Sequence, residues 1–297
     1  MKNSNPIQKD LIILHLTVMV WGFTGILGKL ITIDAIPLVW FRVGIASLTL
    51  FIYIAITGIK RLAIDKTKIL KYLATGGVVA IHWILFFYSI KLSTVSVALV
   101  ALSAATLFTS IIEPLIKGNK ILIQDVVVGL IIISGILLIF KFESQYFWGI
   151  ITGLFAAIGS ALFATINSTL VKNNDPKIIG FYELLGAFIW VSLYQIFAGE
   201  LNFDTLILKG DDWIWLISLG TICTALAYVA GVKVMRSLSA FRVALITNLE
   251  PVYGIVLAYL IFGNSEQMTY GFYAGTLLIL VAIFGYPIYK KKRSLVH

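Results

Sequence analysis

Apolar residues run along this chain in long unbroken stretches rather than in alternation. Bounded by charges, prolines or polar clusters, these stretches predict helices near 11–31, 36–58, 69–90, 94–116 and 124–140, and five more near 148–171, 177–199, 212–235, 239–262 and 268–289. Each is about 20 residues long, the length an α-helix needs to cross a bilayer, whereas barrel strands would be about 10 long with alternating polarity. The pattern predicts an all-α integral membrane protein with ten transmembrane helices. The first run follows Lys2 and Lys9 but is long and ends in no small-residue cleavage site, so it reads as a retained helix rather than a signal peptide.

Composition sharpens this picture. The 297 residues are 60% hydrophobic and 12% charged, with a mean hydropathy of +0.98, which excludes a water-soluble fold. Ten crossings take roughly 200 residues, leaving no room for a sizeable soluble domain. The net charge of +9 does not point to nucleic acid, because its Lys and Arg fall in short connections and the tail. With the N-terminus inside, one set of connections holds Lys2, Lys9, Lys60, Arg61, Lys66, Lys68, Lys71, Lys117, Lys120, Lys172, Lys177, Arg236, Arg242 and the run from Lys290 to Arg293. The other connections hold Lys91, Lys141 and Lys209 against Asp34, Glu200, Asp204, Asp211, Asp212 and Glu266. This asymmetry predicts both termini in the cytoplasm of a multi-pass protein of the cell inner membrane, with membrane lipid as its surroundings. Cys223, the single cysteine, excludes an internal disulfide and reads as a small packing residue.

The chain also repeats itself. Ile90-Lys91-Leu92-Ser93 leads to Lys117-Gly118-Asn119, and Met235-Arg236-Ser237-Leu238 leads to Phe262-Gly263-Asn264, with 27 residues from the basic residue to the glycine in both. The two Gly-Asn pairs are 145 residues apart. Five predicted helices separate the copies, and five is odd, so the second copy enters the membrane in the opposite orientation. Two inverted five-helix repeats result, spanning 1–143 and 144–297. Glu113-Pro114 and Glu250-Pro251 look like one motif but are 137 residues apart and fall at different depths.

Val20-Trp21-Gly22 with Lys29, Trp40-Phe41-Arg42, Phe87-Tyr88-Ser89-Ile90-Lys91 and Asn248-Leu249-Glu250-Pro251, in this order and with this duplication, resemble the drug/metabolite transporter superfamily, specifically its ten-helix EamA-type members. The resemblance spans nearly the whole chain. It implies secondary transport of small metabolites across the inner membrane, often as export, through a central cavity lined by helices one, three, four, six, eight and nine. The chain departs from the family where Gly118-Asn119 and Gly263-Asn264 replace Gly-Glu, and where Thr106 replaces a common proline.

Ionisable side chains at membrane depth are costly, by roughly 2.5 to 3.5 kcal/mol on insertion scales, and are expected to face protein or water. The candidates are Arg42, His82, Glu113, Glu183, Lys233 and Glu250, with His15 and Lys29 nearer helix ends. His82 and Trp83 sit beside Phe86, Phe87 and Tyr88, and Trp21 is mid-helix, away from the interfacial belt. Trp21, His82, Trp83, Tyr88, Tyr228, Asn248 and Glu250 are therefore candidate substrate contacts, and Glu250 or His82 a candidate proton carrier. Pro251 lacks an N–H and frees the Thr247 carbonyl, which suits a broken helix at a site. The competing reading makes these groups structural. Arg42, Glu113 and Glu183 read as structural or gating charges, Glu113 as a terminator of helix four beside Pro114, and Lys29 and Lys233 as residues reaching the headgroups. Gly22, Gly25, Gly28, Gly149 and Gly153 read as close helix contacts.

No phosphate loop or zinc motif occurs, so neither a nucleotide, a metal nor another cofactor is implied, and an enzyme is disfavoured. The expected partner is a small-molecule substrate such as an amino acid or another amphipathic metabolite, with protons as a coupling ion. Multidrug or cation efflux, and a non-transporting sensor or assembly partner, are the alternatives. Oligomeric state is left open.

Overall fold

The computed structural model describes residues 6–200, 207, 208 and 210–294, and the charges at Lys2, Asp204 and Lys209 lie outside them. The chain forms α1 (Pro6–Leu30), α2 (Ala35–Gly58), α3 (Lys66–Leu92), α4 (Val95–Leu102), α5 (Ala105–Lys117), α6 (Ile123–Phe142), α7 (Phe147–Leu170) and α8 (Pro176–Phe197). It continues with α9 (Asp212–Gly220), a π-helical turn (Thr221–Leu226), α10 (Ala227–Val234), α11 (Ala240–Thr247), α12 (Glu250–Phe262) and α13 (Tyr270–Ser294). Nine spans among the described residues are long and apolar enough to cross a membrane, and α13 supplies the tenth, with its apolar stretch at Tyr270–Tyr286. The chain is thus a multi-pass membrane protein with the expected helix order. We call the side bearing the start of α1 the basic face and the other the opposite face.

Two spans are broken, the ninth beside Pro251 as expected and the fourth where an uninterrupted helix was expected. The fourth is broken into α4 and α5 around Ser103 and Ala104, and the ninth into α11 and α12 around Asn248 and Leu249. Each has eight residues before the break and thirteen after it. Adding 145 to every boundary of the first gives the second. The repeat is therefore preserved in three dimensions down to the position of a kink. The glycines that end both spans explain the shared Gly-Asn pairs. Gly118 and Gly263 have φ of 66° and 57°, a left-handed conformation that stops a helix and costs other residues energy. Glu113 does not terminate its helix, because α5 continues through Pro114 to Lys117.

Small residues set the helix crossings, as is usual where lipid offers no hydrophobic drive. A Cβ at Gly186 would lie 2.5 Å from the Leu73 carbonyl oxygen, and one at Gly76 would strike the Glu183 carbonyl, so α3 and α8 cross backbone to backbone. Gly135 and Gly275 do the same for α6 and α13, each facing the other's carbonyl. In α1, Gly22 faces Tyr253 and Gly254, Gly25 faces Val95, and Gly28 receives the ring of Phe87. The start of α7 presses Gly149 on Ser93 and Gly153 on Ala101. These contacts draw α1, α3, α4, α7, α10 and α12 around one axis, with the α6–α13 pair to one side.

Candidate substrate site at the helix breaks

The two breaks meet at the middle of the bundle. Asn248, which ends α11, donates through Nδ2 to Oγ1 of Thr106 in the first turn of α5 at 2.6 Å. Neither α5 nor α12 has a side-chain cap at its N-terminus. Two helix N-termini, carrying partial positive charge, therefore begin at membrane mid-depth. Beside them lie two adjacent voids of about 50 and 70 Å³, both lined by Trp21, Leu102, Ser160, Phe163, Thr247 and Glu250. Pockets that hold drug-sized ligands run to roughly 300–1,000 Å³. The centre is thus closed down around space for a few waters, and must widen to take a solute.

Glu250 heads α12 and is 5% exposed, yet no hydrogen bond or ion pair joins its side chain to the described residues. Arg42 faces the same space from α2. It is 1% exposed, and its guanidinium stacks 4.0 Å from the ring centroid of Trp83 and 5.4 Å from that of Phe87. Its Nε donates to Thr224 Oγ1 at 2.7 Å, while Nη1 has no partner. The π-helical turn makes this possible. Thr224 donates to the Leu219 carbonyl five residues back at 2.6 Å, and this leaves its oxygen turned toward Arg42. Arg42 and Glu250 are not an ion pair, so a guanidinium and a carboxyl group face a shared void with their polar atoms apart.

His82 and Trp83 are buried on α3. His82 Nδ1 donates to the Ala156 carbonyl at 2.7 Å, which fixes the proton on that nitrogen, and its ring packs 5.2 Å from Phe163. Trp83 meets Tyr228 edge-on at 5.8 Å, and Trp21 lies over Gly231. Tyr228 donates at 2.7 Å to Glu183, which also accepts from Asn167 at 3.1 Å and is fully buried. Arg42 and Glu183 do not pair, and both turn to the eighth span, through Thr224 and Tyr228. Six of the seven candidate contacts, Trp21, His82, Trp83, Tyr228, Asn248 and Glu250, border the voids. Tyr88 lies further along α3, near its C-terminal end, and borders neither.

The two faces differ. On the basic face a cavity of about 860 Å³ opens between α5, α6 and α11, lined by Thr109, Glu113, Lys117, Asp125 and Arg242, and the buried Thr109 also lines the central void. Within it, the Tyr286 hydroxyl bonds the Asp125 carboxylate. On the opposite face polar contacts tie the helix ends together. Lys91 donates to the Ile31 carbonyl at 2.6 Å, and Asp212 accepts from the Thr32 amide at 2.9 Å and its hydroxyl at 2.6 Å. Lys29 pairs with Glu266 at 2.8 Å instead of reaching the headgroups. Asp212 and Glu266, expected as loop charges, are 2% and 1% exposed. Sequence reading missed the roles of Thr224, Thr106 and Glu266. The first-half break was derivable, since the 145-residue offset maps Asn248-Leu249 onto Ser103-Ala104.

The EamA-like transporter family model matches residues 9–141 and again 147–286, so the chain belongs to that family. An uncharacterized transporter, YxxF, of Bacillus subtilis (strain 168) is 25% identical over 90% of this chain and 88% of its own length. An uncharacterized transporter of Archaeoglobus fulgidus is also 25% identical, over 93% and 98%. A solved crystal structure with 13% identity aligns over 93% of this chain and 96% of its own, with a TM-score of 0.68, a likeness of fold. The protein is a membrane transporter of the EamA-like family.

Proposed function

We propose that this transporter is a secondary exporter of small amphipathic metabolites that carry a carboxylate and an amine, such as amino acids, with repeats divided at 143/144 and both termini in the cytoplasm. One observation carries the reading. The free Nη1 of Arg42 and the unbonded carboxylate of Glu250 face one aromatic-walled void from two sides. A substrate carboxylate on Arg42 and an amine on Glu250 would bridge them, with the apolar part against Trp21, Trp83 and Phe163. A purely cationic drug would use Glu250 but meet Arg42 unfavourably, so zwitterions fit better than the multidrug alternative.

We further propose that protons drive accumulation through Glu250. Its carboxylate is unbonded and borders both voids, whereas the alternative carrier, His82, has one ring nitrogen committed to Ala156. The test uses proteoliposomes and a panel of labelled amino acids. Counterflow should appear for at least one of them, and Glu250→Gln should retain counterflow at a raised KM, because its amide oxygen still accepts from the amine without the charge, while losing pH-driven accumulation, because exchange needs no net proton movement. If His82→Gln alone loses accumulation, His82 is the carrier. If both variants still accumulate, proton coupling at this site is wrong, and absence of counterflow for the whole panel rejects the substrate class.

A further inference from the structure

Two ion pairs are found among the described residues, Lys29–Glu266 and Lys117–Glu113, and both sit at the start of a broken span. On the opposite face, Glu266 accepts from the amides of Val95 and Ser96 at 3.1 Å each and from the Ser96 hydroxyl at 2.7 Å. On the basic face, Glu113 accepts from the amides of Ala240 and Phe241 at 3.1 and 2.7 Å. The clasped amides are related by the 145-residue offset. So are the hydroxyls that cap the third amide of each helix, Thr94 on Val97 and Ser239 on Arg242. Yet the two glutamates are not repeat partners, being 153 residues apart. Each comes from the half of the chain that does not own the helix it clasps.

We propose that Glu266 and Glu113 are the two latches of the transport cycle, each holding one face closed by clasping the other half's broken helix, and that unequal lysine pairing biases the protein toward opening at the basic face. This rests on the transporter reading above. A carboxylate on a helix N-terminus satisfies amides that have no partner within the helix and complements its partial positive charge. Moving the halves apart must break that clasp. The cost differs between faces because of which half owns the lysine. Lys117 is on the same helix as Glu113, four residues on, so the ion pair survives when Glu113 releases α11. Lys29 and α4 both belong to the first half, so releasing Glu266 breaks the ion pair and the cap together, leaving a carboxylate stripped of every partner. The large cavity beside Glu113, and the 1% exposure of Glu266, accord with the weaker latch on the basic face.

The test needs no substrate. A reporter cysteine replaces Thr24, which is 4% exposed and borders the central void, in a Cys223→Ala background. Membrane-impermeant maleimide is applied separately to each face in vesicles of known orientation. Glu266→Ala should raise labelling from the opposite face by at least about fivefold, the low end of ordinary conformational coupling, without raising it from the basic face. Lys29→Gln should shift it the same way by less, and Glu113→Ala should raise labelling from the basic face alone. Should Glu266→Ala fail to fold, Glu266→Gln, which keeps the volume and loses the charge, carries the same expectation. Opposite-face labelling unchanged in the folded Glu266 variant, or raised equally from both faces, overturns the proposal. A protein that exchanges none of the amino acids tested but still opens face by face leaves the latches standing and rejects the proposed substrate. One that transports with unresponsive latches does the reverse.

Discussion

The fourth and ninth spans are the same object built twice and then given different chemistry. Both are eight residues, a break and thirteen residues, related throughout by one offset. At the break, however, position 250 is Glu and its counterpart at 105 is Ala, while position 251 is Pro and its counterpart at 106 is Thr. The first break forms without a proline, so proline is not what breaks these helices. Arg42 and Glu183 teach the same lesson two spans earlier, since each is the eighth residue of its helix and one is basic, the other acidic. Duplication conserves backbone and helix ends because packing demands them. Under the function proposed above, side chains that face the void answer to the solute, and the proposed zwitterion is not two-fold symmetric.

The strongest way to break this comparison is to move the acid to its mirror position. The double variant Glu250→Gln with Ala105→Glu keeps the net charge and places a carboxylate at the start of α5 instead of α12. It should abolish pH-driven accumulation as fully as Glu250→Gln alone, because Arg42 and His82 then share a half with the acid and no relative motion of the halves separates them. Accumulation assays in proteoliposomes read this directly. Wild-type accumulation in the double variant would make the two breaks interchangeable and remove the asymmetry argued here.

How much of this was legible in the sequence follows from what the signal encodes. The helix order came from runs of apolar residues, since lipid exposure imposes a length on each run. The inverted repeat came from two Gly-Asn pairs, because a left-handed helix stop tolerates few residues. Trp21, His82 and Glu250 stood out because they were polar or bulky at the wrong depth. Glu266 did not stand out, since an acid in a connection looks solvated until a helix from the other half is seen to end on it. Thr224 was likewise hidden, because a threonine that widens its own helix by a π-turn has no periodicity to betray it.

A smaller effect sharpens the comparison at the point where the breaks touch. The Asn248–Thr106 hydrogen bond joins the two halves through side chains that differ from their repeat counterparts, Ser103 and Pro251. A double-mutant cycle of Asn248→Leu and Thr106→Val keeps both shapes and removes both partners. Buried side-chain hydrogen bonds between membrane helices average about 0.6 kcal/mol in such cycles and reach about 1.7. A coupling within that range, from unfolding in mixed micelles, makes the bond a modest tie that the halves can break in transport. A coupling near zero would mean that the breaks merely lie side by side.

The least effect is expected at the rim of the basic face, where the comparison predicts no special chemistry. Asp65 caps α3 by accepting from the Thr67 amide at 2.8 Å, and that backbone hydrogen bond holds its carboxyl below the ordinary 3.8. A carboxyl lowered in the folded state contributes stability above its unfolded value and loses it as pH falls through the folded value. Asp65→Ala should therefore unfold at a slightly lower temperature than the wild type at neutral pH, with the gap closing as pH falls below about 4. Asp65→Asn retains a good capping acceptor and should remain close to the wild type at neutral pH. Thermal unfolding of the three proteins across this range checks the sign. A gap that widens on acidification would mean that the charge of Asp65 opposes the fold, and that α3 is held by its crossing with α8 at Gly76 and Gly186 without help from its cap.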